Sequence, residues 1–234
     1  MTEGSLRPAS IPAKLATDLV MACRLLHAQG LLTYSGHISA RLPDSDGIVI
    51  HSRDKHRGAV TPADLLTCDL NGQAQGQQQV PIEIFIHTEI YRSRPDVRSV
   101  VHTHSPLAAV FSATRTPIVA AKNHAHRWRD GVPTHPDPTH IGSSEQGKEL
   151  ATTLGHHHAA LLRTHGGVIV AESIEAAVVD SIHFEENLHT QLAATSLGSL
   201  APLTEGELER LTATFNRERH VRRLWRYYTE GLPA

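Results

Sequence analysis

Two histidines one residue apart, in Val100-Val101-His102-Thr103-His104, have a spacing that permits chemistry. On a strand, residues i and i+2 project from the same face, roughly 6–7 Å apart. Two such imidazoles can converge on one ion at about 2.0–2.1 Å from each nitrogen. The flanking valines bury the strand, and a buried imidazole pair is costly unless something binds it. Water-facing histidines on an edge strand are the competing reading of an isolated pair. His165 supplies a third candidate, at the end of the apolar run 159–165 and just before Gly166-Gly167, where the chain can turn sharply. Strand ends are where open α/β sheets place their ligands. Three histidines leave a fourth position for substrate or water, as catalytic metal sites do. Glu83 follows Pro81 at the start of a helical stretch, where unpaired amides and the helix dipole stabilise a carboxylate. There it can ligate the ion or shuttle a proton. His87 lies four residues on, on the same helical face. It is either a ligand partner of Glu83 or, as we favour, a residue supporting the ligands from behind.

The elements that must position these groups follow from periodicity. Leu15, Leu19, Ala22, Cys23 and Leu26 recur at helical spacing over 12–29, and Gly30 fits the stop. Strands are expected over 34–42 and 48–51, separated by a turn at 44–47. Thr61-Pro62-Ala63-Asp64 carries a capping residue followed by proline, the mark of a short helix start. A strand over 67–70 ends at Asn71-Gly72, a hairpin signal. The pattern Ile82, Phe85, Ile86, Ile90 predicts a helix over 81–94, stopped by Pro95, and 97–104 reads as a strand. A further strand is expected over 116–121. The His-, Pro- and Asp-rich stretch 122–142 shows too little apolar periodicity for core and reads as a long functional loop. A helix over 144–154, strands over 159–165 and 168–171, and a long helix over 173–194 follow. The last helical segment, 204–229, carries Trp225, Tyr227 and Tyr228. Residues 1–11 read as a loose arm, and 1–234 as one α/β domain, since no repeat or Pro/Gly linker divides the chain.

Composition narrows the function classes. The 234 residues are 40% hydrophobic and 20% charged, an ordinary balance for a soluble fold with a full core. A formal net charge of −2 supplies no global field for nucleic acid or an anionic membrane. No apolar run approaches the roughly 18 residues of a membrane span. Cys23 and Cys68 belong to no disulfide or metal motif, and the start has no secretory pattern, so a cytoplasmic location is expected. Histidine is abundant, at 18 residues. Most must be bystanders; His156, His157 and His158 after Gly155 read as a solvated turn.

Several motifs occurring in order resemble the class II aldolase/adducin superfamily: His102-Thr103-His104, Arg163-Thr164-His165-Gly166, Glu83 with Ile86-His87, and Ile90-Tyr91-Arg92-Ser93-Arg94-Pro95-Asp96. Gly30-Leu31 and Gly36-His37-Ile38-Ser39-Ala40-Arg41 extend the likeness over about residues 13–194. The resemblance implies a three-layer α/β/α fold around a mainly antiparallel sheet. It also implies a homotetramer with active sites between neighbouring subunits. By the same carry-over, His102, His104 and His165 are ligands of one divalent metal, and Glu83 is the acid/base or a displaceable ligand. Three histidines suit zinc, and manganese, iron or cobalt would also fit.

Departures from the sugar-phosphate members indicate the substrate. Those members hold phosphate with Gly-Asn-x-Ser, a Thr-x-Ser-Gly loop and serines before the glutamate. Here His37 replaces the asparagine, His51-Ser52-Arg53-Asp54 occupies the loop, and Pro81-Ile82 precedes Glu83. Ile82 cannot donate to a phosphate. Ser52 and Arg53 can clamp a carboxylate instead, with His37 as a further donor. These features are similar to the metal-dependent decarboxylases of hydroxylated aromatic or heteroaromatic carboxylates. His124, His126, Trp128 and Arg129 in the long loop are candidate pocket residues, with His126 and Trp128 expected to contact substrate. Trp128 could stack on an aromatic ring or simply anchor its own loop. Trp225, Tyr227 and Tyr228 are candidates for covering a neighbour's site. The expected function is therefore a metal-dependent carbon–carbon lyase that decarboxylates a small carboxylate. An aldolase or epimerase acting on a sugar or sugar acid is the alternative, and an adducin-like binding module is a third reading that the intact histidines and Glu83 oppose.

Overall fold

Successive residues of a strand point to opposite faces, and the computed structural model, which describes residues 11–43, 45–74 and 76–232, sorts the apolar ones onto the two faces of one sheet. Its strands are β1 (His37–Arg41), β2 (Ile48–His51), β3 (Leu65–Cys68), β4 (Ser99–Thr103), β5 (Thr134–His135), β6 (Ala159–Leu162) and β7 (Gly166–Ala171). They lie in the order β3-β2-β1-β4-β7-β6-β5. Every neighbouring pair is antiparallel except β5 and β6. The flanking helices are α1 (Ala13–Ala28), α2 (Ile84–Ser93), α3 (Pro106–Thr114), α4 (Ser144–Leu154) and α5 (Ile174–Leu197), followed by α6 (Glu205–Thr214) and α7 (Arg217–Glu230).

Ile38, Ala40, Val49, Val101, Leu161 and Ile169 pack with α1, α3 and α5 on one face. Ile48, Ile50, Val100, Ala160, Val168 and Val170 pack with α2 and α4 on the other. This is the three-layer α/β/α arrangement with a mainly antiparallel sheet. Leu19, Cys23 and Leu26 of α1 are fully buried, as their spacing requires, and Gly30 (φ +73°) ends that helix. Truncating Leu26 to alanine would cost about 2–5 kcal/mol.

Several expectations need correction. Residues 116–121 are not a strand, although the segment is extended and its backbone groups are paired. Val119 N–H donates to Gln191 Oε1 (3.1 Å), Ala121 and Lys122 N–H donate to Asn187 Oδ1 (3.0 and 3.1 Å), and Asn187 Nδ2 donates back to Val119 O (2.9 Å). Two amide side chains on α5 thus do the work of a partner strand. The stretch 122–142 is not all loop: it contains a short 3-10 helix, Asn123–Trp128, and the strand β5, and it buries Ala125, Trp128 and Ile141. The C-terminal helix is two helices, because the chain breaks at Phe215 and Asn216, whose side chain accepts from Arg219 N–H and starts α7. Helix α3 was not anticipated; Ser105 caps it and Pro106 occupies its first turn. Of the expected N-terminal arm, residues 1–10 lie outside the described residues, and Ile11 packs against the core. The turn expected at 44–47 includes Asp44, also outside them.

Candidate active site

The register of three adjacent strands builds the site. His37 on β1 lies opposite His102 on β4, and His102 lies opposite Val168 on β7. His104 follows the end of β4. Strand β6 stops at Leu162, so His165 sits in the tight turn to β7 and not on the strand as expected. Thr164 in that turn adopts φ +58°, a left-handed conformation that a non-glycine residue holds only at a cost. Ser112 Oγ accepts its N–H at 2.9 Å. At Gly166 a Cβ would fall 2.0 Å from the carbonyl oxygen of Thr103, so only glycine permits β7 to approach the end of β4 this closely.

Glu83 is the N-cap of α2, one position earlier than its expected place inside the helix, and its carboxylate points toward these histidines. Its Oε2 lies 3.3 Å from His102 Nε2, 3.7 Å from His165 Nε2 and 3.9 Å from His104 Nε2. Its Oε1 accepts from Ile141 N–H at 3.2 Å and faces His140 Nδ1 at 3.4 Å. Burial by itself would raise the Glu83 carboxyl, but His102, His104 and His165 outweigh it and hold the group well below the usual carboxylate range. His165 is pushed down to about 4, chiefly by burial and then by His102, so it is neutral at pH 7 and available as a ligand.

The donor set fits a divalent cation. Glu83, His102, His104 and His165 present ligand atoms that all lie within 4.8 Å of one another. His102 Nδ1 lies 3.1 Å from Gly167 O and serves as the N–H donor to that carbonyl, which leaves Nε2 turned inward. This Nε2 is fully buried, has no hydrogen-bond partner among the described residues, and faces a carboxylate oxygen. Two acceptors opposed in a buried site repel unless a cation lies between them. The Nε2 atoms of His104 and His165 are likewise 3.1 Å apart, and the three rings meet edge-on at 65–79° with lone pairs that can converge.

Behind the site runs a buried hydrogen-bonded chain. Ser39 Oγ contacts both Tyr91 Oη (2.9 Å) and His87 Nδ1 (2.6 Å), and His87 Nε2 contacts His37 Nδ1 (2.6 Å). His87 therefore stands behind His37 and not among the four convergent donors. Burial, followed by the neighbouring imidazoles, depresses both His37 and His87 well below the ordinary histidine value, so this is a chain of neutral rings.

A cavity of about 350 Å³ opens beside the donor set, lined by His37, Arg53, Arg57, Glu83, His104 and His140 together with an apolar rim of Tyr34, Pro81 and Ile82. Arg53 reaches it while paired with Asp54 at 3.1 Å. Ser52 does not line it; its backbone N–H is tied to Asp64 O at 2.8 Å. His126 and Trp128 are also elsewhere within one chain. The His126 ring packs on Phe215 with centroids 4.7 Å apart, and Trp128 is buried against Phe184, anchoring its own loop. Sequence reasoning missed His140, Arg57 and Tyr34. Ile141 is the one local signal for His140, an apolar residue in a polar loop that buries and presents its neighbour.

The sequence pattern of the class II aldolase and adducin N-terminal domain matches residues 17–192. The chain belongs to this family. Among curated relatives, it is 33% identical over 213 residues to a 3,4-dihydroxyphthalate decarboxylase of Rhodococcus jostii (strain RHA1), covering 83% of this chain and 88% of that protein. A protein of the same name from Arthrobacter keyseri is 31% identical over 234 residues, covering 92% and 93% respectively. Among solved structures, an L-fuculose 1-phosphate aldolase from Glaciozyma antarctica PI12 shares the fold, with a TM-score of 0.82 and 23% identity over 96% of this chain and 91% of that one.

Proposed function

We propose that this chain is a metal-dependent, non-oxidative decarboxylase of hydroxylated aromatic or heteroaromatic carboxylates, with His102, His104 and His165 as metal ligands and Glu83 as the acid/base. The observation that carries the reading is the composition of the cavity wall. Cationic Arg53 and Arg57 and the imidazole of His37 stand beside an apolar rim of Tyr34, Pro81 and Ile82, all next to the donor set. A flat ring bearing a carboxylate satisfies both halves of that wall. Ile82, 65% exposed at the mouth, offers nothing to a phosphate. The similarity to two dihydroxyphthalate decarboxylases favours the same substrate class.

A divalent ion held by the three histidines, zinc or manganese by preference, would supply a Lewis acid for a substrate oxygen. The rest falls to the chain. Arg53 and His37 orient the substrate carboxylate. Glu83, ionised at rest, takes the proton of a ring hydroxyl. When the ring-to-carboxylate bond breaks, carbon dioxide leaves, the electron pair remains on the ring carbon, and Glu83 returns its proton there. Ile141 N–H and His140 hold the other Glu83 oxygen, so only Oε2 is free to exchange the proton. We further propose that the chain works as one domain in a homotetramer whose sites lie between subunits. The bare rim residues Tyr34 (92% exposed) and Ile82 support this, and Trp225, Tyr227 and Tyr228 are candidates to cover a neighbour's site. No helix among the described residues is long and apolar enough to cross a membrane, and we propose a cytoplasmic location.

The test is Glu83→Gln in protein loaded with metal. It should keep the ion and lose carbon dioxide release by on the order of 100-fold or more, the scale of a general acid/base contribution. Full activity in that variant would remove Glu83 from the chemistry.

A further inference from the structure

On the opposite side of the sheet, three more histidines come together from distant parts of the chain. His124 lies on the short 3-10 helix, His183 on α5 and His220 on α7. Each offers a ring nitrogen, and these nitrogens all lie within 4.8 Å of one another. Ring centroids are 4.0 Å apart for His124 and His183, 5.2 Å for His124 and His220, and 5.3 Å for His183 and His220. His183 is buried, and the other two are half-buried. His220, whose ring centroid lies 5.2 and 5.3 Å from the other two, has a buried Nε2 with no hydrogen-bond partner among the described residues. Such groups are rare in folded proteins and point to something that binds them.

We propose that His124, His183 and His220 form a second metal site, of the zinc class, which ties the C-terminal helix α7 to α5 and to the loop ahead of β5. The chemistry of the donors favours this class: three imidazoles and no thiolate suit a borderline ion, with water in the fourth position. Two of the nearby cations are held in ion pairs. Lys122 pairs with Glu186 at 2.6 Å, and Arg217 pairs with Asp180 at 2.8 Å and with Glu172. The His124 and His183 rings stack within 5° of parallel, and parallel rings do not converge their in-plane lone pairs on one point. Capture requires one ring to turn about χ2, a torsion with broad, shallow wells. His124 is the less buried of the stacked pair, and we assign the turn to it.

The site differs in role from the first. His124, His183 and His220 do not line the cavity beside Glu83, and they sit 59 and 37 residues apart in sequence. An ion bound only to the folded chain raises its apparent stability by mass action and staples three segments that otherwise meet through packing and ion pairs.

The experiment is metal analysis and thermal unfolding on the full chain, stripped with a chelator and dialysed against zinc. Wild type should hold two zinc ions per chain, and His220→Gln should hold one. The His104→Ala/His165→Ala variant, which lacks the first site, should still bind one ion and gain thermal stability with zinc, and adding His220→Gln should abolish that gain. Two ions in His220→Gln, or a single ion in wild type that disappears with His104→Ala/His165→Ala, would overturn the site. If the double variant does not fold, the comparison of wild type with His220→Gln decides alone. Neither readout depends on which reaction the first site performs.

Discussion

Replacing Ser39 by alanine deletes one oxygen and exposes how the buried chain behind the site works. Ser39 Oγ bonds His87 Nδ1 at 2.6 Å and Tyr91 Oη at 2.9 Å, and both Ser39 and His87 are fully buried. Tyr91 keeps a second partner in the Val100 amide, so the group left bare is His87 Nδ1. An unsatisfied buried donor or acceptor costs about 1–3 kcal/mol. Taking about 2 kcal/mol, the thermal midpoint of a chain this size should fall by about 4–8 °C. The loss should also reach catalysis. His87 holds His37 at 2.6 Å, and a His87 ring released on one side no longer fixes the tautomer that His37 presents to the cavity. We expect kcat/KM to drop on the order of tenfold, the effect of a modest misplacement of a positioning contact. The assay pairs differential scanning calorimetry with steady-state kinetics on Ser39→Ala, Tyr91→Phe and the double variant. Ser39 touches both partners, so the two changes should be non-additive. A Ser39→Ala protein with an unchanged midpoint and unchanged kinetics would refute the chain as a support for His37.

Other consequences can be checked in the same protein. Gly166→Ala should destabilise by several kcal/mol or prevent folding, because its Cβ would sit 2.0 Å from the Thr103 carbonyl oxygen; wild-type urea unfolding would contradict the close approach of β7 to β4. Arg53→Gln should raise KM for a carboxylate substrate by roughly 10–100-fold with little change in kcat, the loss of one charged hydrogen-bonded contact, and an unchanged KM would remove Arg53 from the clamp. In metal-free protein, stability should fall as pH drops from 6.5 toward 4. The buried His51 is held at about 4 by burial and then by Arg57, against 6.5 in an unfolded chain, so protons bind the unfolded state preferentially in that window. The stabilisation is whole above pH 6.5, and His51 alone accounts for about 3 kcal/mol of the loss at the acid end. Urea midpoints flat across this range would contradict a buried neutral His51.

The legible and illegible parts of the molecule divide along the range of the forces involved. His102, His104 and His165 were legible as candidates through local devices, strand alternation for the first pair and the Gly166-Gly167 turn for the third, and the family likeness joined them into one ligand set. Glu83 followed from proline and the helix start beside it. The sheet and most helices were readable because one buried face imposes a period of two or about 3.6 residues. Residues 116–121 misled because their β-like composition is real, while their partners are the Asn187 and Gln191 side chains on α5. The break between α6 and α7 was hidden by helical composition on both sides, and Asn216 works as a cap only where the chain has already turned. His126 and Trp128 shared a loop with plausible chemistry, but Trp128 buries its indole against Phe184. His140 reaches the cavity from a loop and Arg57 from a one-turn 3-10 helix, Arg57–Ala59, and neither shows a sequence period.

The most direct test of the account is product analysis with the metal-loaded enzyme. Hydroxylated aromatic mono- and dicarboxylates and sugar phosphates should be offered side by side, with carbon dioxide and aldehyde measured in each reaction. Carbon dioxide should appear in equal amount to an aromatic product shortened by one carboxylate, and chelation or His104→Ala should abolish both. Aldehyde from a sugar phosphate, with no carbon dioxide from any aromatic acid, would contradict the decarboxylase assignment.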